Sequence, residues 1–98
     1  MFIVRDIFRL KFRHYKNAKT LFDEAKSKNM FPDTNNLRLL TDFTGDSYRL
    51  IMELSFSTLA DYEKSLSSNM NEEEWKKWYE KFKPLIESSH REILKQVA

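Results

Sequence analysis

Between Phe2 and Phe12 the chain alternates with a period of two, and this limits the fold more than any other feature. Phe2, Val4, Phe8, Leu10 and Phe12 fall on one side, with Ile3, Arg5, Ile7, Arg9, Lys11 and Arg13 on the other. A period of two separates the two sets onto opposite faces of a β-strand, whereas a helix would scatter them. One residue breaks the rule: Asp6 stands in the apolar row. A half-buried strand at the start of the chain requires a sheet to join and a layer to cover its apolar side.

The period then changes. Over Tyr15–Asn29, Ala18, Leu21, Phe22 and Ala25 recur at helical spacing, which predicts an amphipathic helix with Lys26 and Lys28 at its negative end. The stretch NMFPDTNN stops it, since Pro32, Asp33 and the asparagines are turn residues. Asn36–Thr44 and Ser47–Phe56 are expected to form a hairpin around Gly45, the single glycine, which is free to take positive φ. The second of these strands carries Tyr48, Leu50, Met52, Leu54 and Phe56 on one face, and Arg49, Ile51, Glu53 and Ser55 on the other. STLADYEKSL opens a helix with Ser57 or Thr58 as N-cap and Asp61 near its positive end. Helical signals restart at Asn71, a predicted N-cap, with Glu72–Glu74 in the first turn and Glu74 closing a capping box. Met70 and Trp75 are placed as a hydrophobic staple. Trp75, Trp78, Tyr79 and Phe82 then form an apolar stripe that Pro84 ends. The tail HREILKQVA fits a helix face or, over Arg91–Val97, a last short strand.

Strand, helix, strand, strand, helix and a final strand is the order of a ferredoxin-like α+β sandwich: an antiparallel four-stranded sheet with helices on one face. A chain of 98 residues suits one such domain spanning 1–98, and an aromatic share of 14% helps to fill its core. The other face of the sheet would carry Ile3, Arg5, Ile7, Arg9, Leu40, Arg49, Ile51 and Glu53. A solvated face has no need of Ile3, Ile7, Leu40 and Ile51 together, so a homodimer paired through this face is expected.

The stretches MFIVRDIFRLKF, GDSYRLIMELSFSTLADYEKSL and WYEKFKPLIESSHREILKQV resemble the NIPSNAP and antibiotic-biosynthesis-monooxygenase-type domains of the dimeric α/β barrel superfamily. The resemblance spans nearly the whole chain and rests on pattern and on the ending from Trp78 through Phe82, Pro84 and Leu85 to HREI. It implies a homodimer built by packing two sheets face to face, and a strand rather than a helix at Arg91–Val97. It also implies one of several activities: cofactor-independent oxygenation, haem binding, binding of a small organic molecule, or none. No position matches the polar catalytic set of the oxygenase members closely enough to be carried over.

Composition removes several classes of function. Net charge is +2 and cysteine is absent, so neither a polyanion-binding field nor a thiol nucleophile or thiolate metal site is expected. One glycine leaves no Gly-rich phosphate loop, and two histidines make a poor metal site, so no metal or cofactor is expected. Arg5 interrupts the first apolar run without a cleavage site after it, and no apolar run approaches the roughly 20 residues of a membrane span, so a cytoplasmic location is expected. The basic row Arg5, Arg9, Lys11, Arg13 would suit RNA only if YRLIMELSF carried a glycine and outward aromatics. Pairing of Arg5 or Arg9 with Glu53 across the sheet is the expected alternative.

Candidate site residues remain. Asp6, on the side of the helices, is a candidate acid, base or ligand anchor; a β-bulge or an edge position that lets it reach water is the competing reading. His14 and His90 are candidate acid–base groups if the end of the first strand meets the start of the last. Tyr48 would lie at the same edge as a ligand-binding group; solvated loop histidines are the alternative. Trp75 and Trp78 either line a pocket for a flat apolar ligand or fill the core. The leading functional expectation is binding or cofactor-free oxidation of a small organic molecule between helices and sheet. The alternative is a non-catalytic homodimeric interaction or regulatory domain.

Overall fold

The computed structural model describes residues 1–28, 30, 36–46, 48–67 and 72–98. Its elements are strand β1 (Phe2–Leu10), helix α1 (Tyr15–Ser27), β2 (Arg38–Thr41), β3 (Arg49–Phe56), helices α2 (Leu59–Ser67) and α3 (Glu72–Phe82), a 3-10 turn (Lys83–Leu85) and β4 (Ile86–Lys95). The four strands form one sheet in the order β2-β3-β1-β4, every neighbouring pair antiparallel. This is the expected ferredoxin-like α+β arrangement. Its least extent, 20 Å, fits one sheet carrying one helical layer.

Local chemistry accounts for the element ends. Thr58 caps α2 by accepting the Asp61 N–H at 3.1 Å. Gly45 takes φ +113 in the β2–β3 connection, as its lack of a Cβ allows. The cap at Asn71, its staple partner Met70, the turn residues Pro32 and Asp33, and Ser47 lie outside the described residues. At the C-terminal side the structure differs from the expectation. Pro84 is accommodated in the 3-10 turn immediately after α3, and β4 begins directly behind it at Ile86, five residues before Arg91. The tail is indeed a strand, ending at Lys95.

The helix stripes and the even-numbered residues of β1 meet as predicted. Ala18, Phe22 and Ala25 of α1, Trp78 and Phe82 of α3, and Leu10 and Leu50 of the sheet are buried in one cluster, with Phe8 packed against it. Val4, Leu54 and Phe56 form a second, with Tyr62 of α2 against it. The cross-strand row Leu39, Met52, Asp6, Arg91 crosses this face between the rungs of Val4 and Phe8. Leu39 and Met52 pack against the first cluster, and Asp6 is the one charged residue of β1 on this face.

On the opposite face the rungs alternate in character. One reads Leu40, Ile51, Ile7, His90; the next reads Arg38, Glu53, Arg5, Glu92, with charges alternating across all four strands. Arg5 Nε donates to Glu53 Oε2 at 2.9 Å, the pairing the sequence suggested. Glu53 is only 7% exposed and Ile7 6%, although the buried clusters to which the helices contribute lie on the other face. Long side chains such as Arg5 can shield their neighbours with their apolar stems while the charged head stays at the surface.

Candidate functional site

A cleft of about 390 Å³ opens beneath α2 and α3 on the helix-covered side of the sheet. That is near the small end of the range for pockets that hold small organic ligands. The sheet contributes, among others, Val4, Asp6, Phe8, Met52, Leu54, Ser89 and Arg91; the helices contribute Phe22, Tyr62, Ser65, Trp75, Trp78, Tyr79 and Phe82. Asp6 and Arg91 bring charge into a lining that is otherwise largely apolar.

The walls are aromatic and fixed. Trp75 stacks on Trp78 at 5.3 Å between centroids and 18° between planes, and Trp78 on Phe82 at 5.0 Å and 22°. The spacing i, i+3, i+7 on one helix face produces this ladder. Phe22 meets Trp78 and Phe82 edge-on, at 90° and 84°, and Phe8 meets Phe82 at 90°. The Trp78 indole N–H donates to the Leu21 carbonyl at 2.7 Å, which ties α3 to α1 and holds the ring in place.

The polar end is a three-residue cluster. Arg91 Nε donates to Asp6 Oδ1 at 2.6 Å and Arg91 Nη1 to the Tyr62 hydroxyl at 2.6 Å. Its guanidinium carbon lies 5.9 Å from the centre of the Tyr62 ring. The Asp6 side chain is 14% exposed and that of Arg91 47%. The hydrogen bond to Asp6 raises the Arg91 pKa above its ordinary value, outweighing the opposing effect of partial burial. The cluster therefore presents a firmly charged cation already matched by an anion.

Of the residues singled out in the sequence, Asp6, Trp75 and Trp78 line the cleft together. Asp6 is neither at an edge nor in a bulge. β1 is flanked on both sides, and the irregularity in its pairing with β4 falls between Arg9 and Leu10. Trp78 is both buried in the core and part of the cleft wall. His90 borders the cleft through its position between Ser89 and Arg91, but its imidazole belongs to the opposite face, 3.7 Å from Glu92. The early start of β4 sets it opposite Ile7, in mid-sheet, and not beside His14. The two histidines do not form a pair.

His14 lies in the β1–α1 connection at the N-terminus of α1, without a side-chain capping bond, and its Nδ1 is enclosed with no hydrogen-bond partner. Tyr48 is at the end of the β2–β3 hairpin, where its ring meets Phe12 edge-on at 5.4 Å. It borders a separate shallow depression with Tyr15, Asp42 and Phe43. Its φ of 65° is strained for a residue with a bulky side chain. Arg91 and Tyr62 were missed by sequence reasoning. A partner for Asp6 was required, but its identity depends on a register joining positions 85 residues apart. Among the described residues no cluster of three His, Asp or Glu side chains is placed to hold a metal, and no helix is long and apolar enough to cross a membrane.

No family model matches the sequence. No curated protein matches it either. Solved structures do match by shape. A NIPSNAP family protein from Agrobacterium tumefaciens superposes with a TM-score of 0.80 and 21% identity, covering 99% of this chain and 94% of its own. A NIPSNAP-like domain protein from Burkholderia xenovorans, itself described as uncharacterised, gives 0.79 and 14%, covering 99% and 85%. An antibiotic biosynthesis monooxygenase gives 0.69 and 12% over the full length of both chains. The chain thus has the ferredoxin-like fold of NIPSNAP-family and antibiotic-biosynthesis-monooxygenase structures.

Proposed function

We propose that this protein binds a small planar organic molecule in the cleft between its helices and sheet, acting as a homodimer paired through the uncovered sheet face. The observation that carries the reading is the cleft itself: stacked aromatic walls closed at one end by a single ion pair. Flat apolar surface supplies affinity and a few fixed polar groups supply orientation, which is the usual division of labour in ligand sites. The dimer is supported by the uncovered face, where Leu40 is 41% and Leu94 39% exposed beside a rung of alternating charge. Such a rung is complementary to a copy of itself turned end for end.

Cofactor-free oxidation of the bound molecule is the extension suggested by the monooxygenase structure of the same fold. The competing reading is a non-catalytic interaction domain, for which the solid aromatic packing around Phe82 would suffice. Native mass spectrometry of protein purified gently from its source tests the reading. A dimer carrying a small bound mass is expected. A dimer with nothing bound after reconstitution with aromatic fragments favours the interaction domain, and a bare monomer removes both parts.

A further inference from the structure

The polar end of the cleft carries a more specific consequence. A guanidinium has five N–H donors. In Arg91 the Nε donor is taken by Asp6 and one Nη1 donor by Tyr62, and among the described residues the remaining donors have no other hydrogen-bonded partner. The Tyr62 oxygen accepts from Arg91, so its own proton is left to donate elsewhere. The second carboxylate oxygen of Asp6 has no hydrogen-bonded partner among the described residues. Donors therefore predominate, yet Asp6 and Arg91 cancel in charge.

An unpaired arginine at the end of an aromatic cleft would select carboxylates, through paired charge-assisted hydrogen bonds. Here an incoming carboxylate would be desolvated beside Asp6 and gain no net charge in return. A carbonyl or phenolic oxygen accepts from the same N–H and O–H donors without that cost, while its ring lies along the Trp75–Trp78 wall. Discrimination of this kind works by a built-in repulsion as much as by an attraction.

We propose that the Asp6–Arg91–Tyr62 cluster makes the cleft selective for uncharged planar aromatic molecules bearing an oxygen acceptor, and that Asp6 is the residue that excludes their carboxylate counterparts. This rests on the cleft being a ligand site, and the experiment separates the two claims. Three probes of equal ring size, naphthalene, 2-acetonaphthone and 2-naphthoate, are titrated into the whole protein at neutral pH. Binding is followed by quenching of tryptophan fluorescence and by backbone amide shifts.

The wild-type protein is expected to bind 2-acetonaphthone about tenfold more tightly than either of the others, the gain of one hydrogen bond to a charged donor. In Asp6→Asn the order of 2-acetonaphthone and 2-naphthoate reverses. In Arg91→Met, 2-acetonaphthone falls to the level of naphthalene, and Tyr62→Phe gives a smaller loss in the same direction. If Asp6→Asn does not fold, the probe order in the wild type and in Arg91→Met decides the matter. Tightest binding of 2-naphthoate by the wild type, or an unchanged order in a folded Asp6→Asn, overturns the selectivity and leaves the cleft standing. Failure of all three probes to bind removes the cleft as a ligand site, and the selectivity with it.

Discussion

Two carboxylates lie inside the sheet, one on each face, and each meets an arginine directly across the neighbouring strand. Glu53 is paired with Arg5 on the face without helices; Asp6 is paired with Arg91 on the face that α2 and α3 cover. Coverage by helices ought to bury its acid more deeply. The reverse is found: the Glu53 side chain is 9% exposed and that of Asp6 14%, with Arg5 at 39% and Arg91 at 47%. On the open face Ile7 and Glu53 are buried without a helical layer above them, and Arg5 reaches across to Glu53. The covered face opens into a cleft beside one rung, where the Asp6–Arg91 pair stands among apolar neighbours. The difference teaches that a layer of helices does not by itself make a continuous core. A charged rung is tolerated beneath helices only if solvent or a ligand reaches it.

The largest expected effect tests the solid part of the covered face. Phe82 is fully buried and meets Phe8 and Phe22 edge-on, so Phe82→Ala should cost about 3–5 kcal/mol in urea unfolding. Phe82→Leu should cost distinctly less. Asp6→Leu, by contrast, removes a charge from a rung whose arginine is nearly half exposed, and should cost less than Phe82→Ala. If Asp6→Leu proves as disruptive as Phe82→Ala, the Asp6 rung is as closely packed as the Phe82 core.

On the open face the informative residue is Leu40, which is 41% exposed in the single chain. Leu40→Asp should leave the stability of an isolated protomer nearly unchanged. In a sheet-to-sheet dimer it would bury an unpaired charge and weaken association about a hundredfold, equivalent to about 3 kcal/mol. Sedimentation equilibrium across a concentration series reads this directly. A wild-type protein that sediments as a monomer throughout would leave the open face as a finished surface.

The two ion pairs themselves should respond unequally. Glu53→Gln removes the charge from the better-buried acid and should cost about 2 kcal/mol of stability, as for other hydrogen bonds to charged groups. Asp6→Asn should cost about 1 kcal/mol or less, since Arg91 is nearly half exposed and water can replace the lost charge. Equal losses, measured by urea unfolding under the same conditions, would show that depth does not set their worth.

The sequence made the alternation of β1 and the stripes of α1 and α3 readable, because burial imposes periods of 2 and 3.6 on any chain that has a covered face. It also made Asp6 conspicuous and set it on the correct face, since parity along one strand is a local property. What it could not supply was anything that depends on where a strand starts. With β4 beginning at Ile86, His90 faces away from the helices and Arg91 faces towards them. A shift of one residue would have exchanged their roles. The candidate site was therefore half legible: its anomaly and its aromatic wall were visible, while the arginine and tyrosine beside Asp6 depend on register and on the placement of α2.

A third pair on the open side sharpens the comparison without any change in core packing. Arg49 donates to both oxygens of Asp42, through Nε at 3.2 and 3.1 Å and through Nη2 at 2.8 Å, at the end of the β2–β3 hairpin. These hydrogen bonds hold the Asp42 carboxyl below the ordinary aspartate pKa and, in return, raise that of Arg49. A carboxyl whose folded pKa lies below its unfolded value stabilises the fold above the unfolded value, near pH 4, and that contribution is lost as the pH falls through the lower, folded value. Titration of the Asp42 side-chain carbon by NMR should accordingly show a depressed midpoint, and Arg49→Gln should return it to the ordinary range. Were the midpoint ordinary in the wild type, the pair would be too loosely held to fix the hairpin end. The order of the charged pairs on this face would then be set by Glu53 alone.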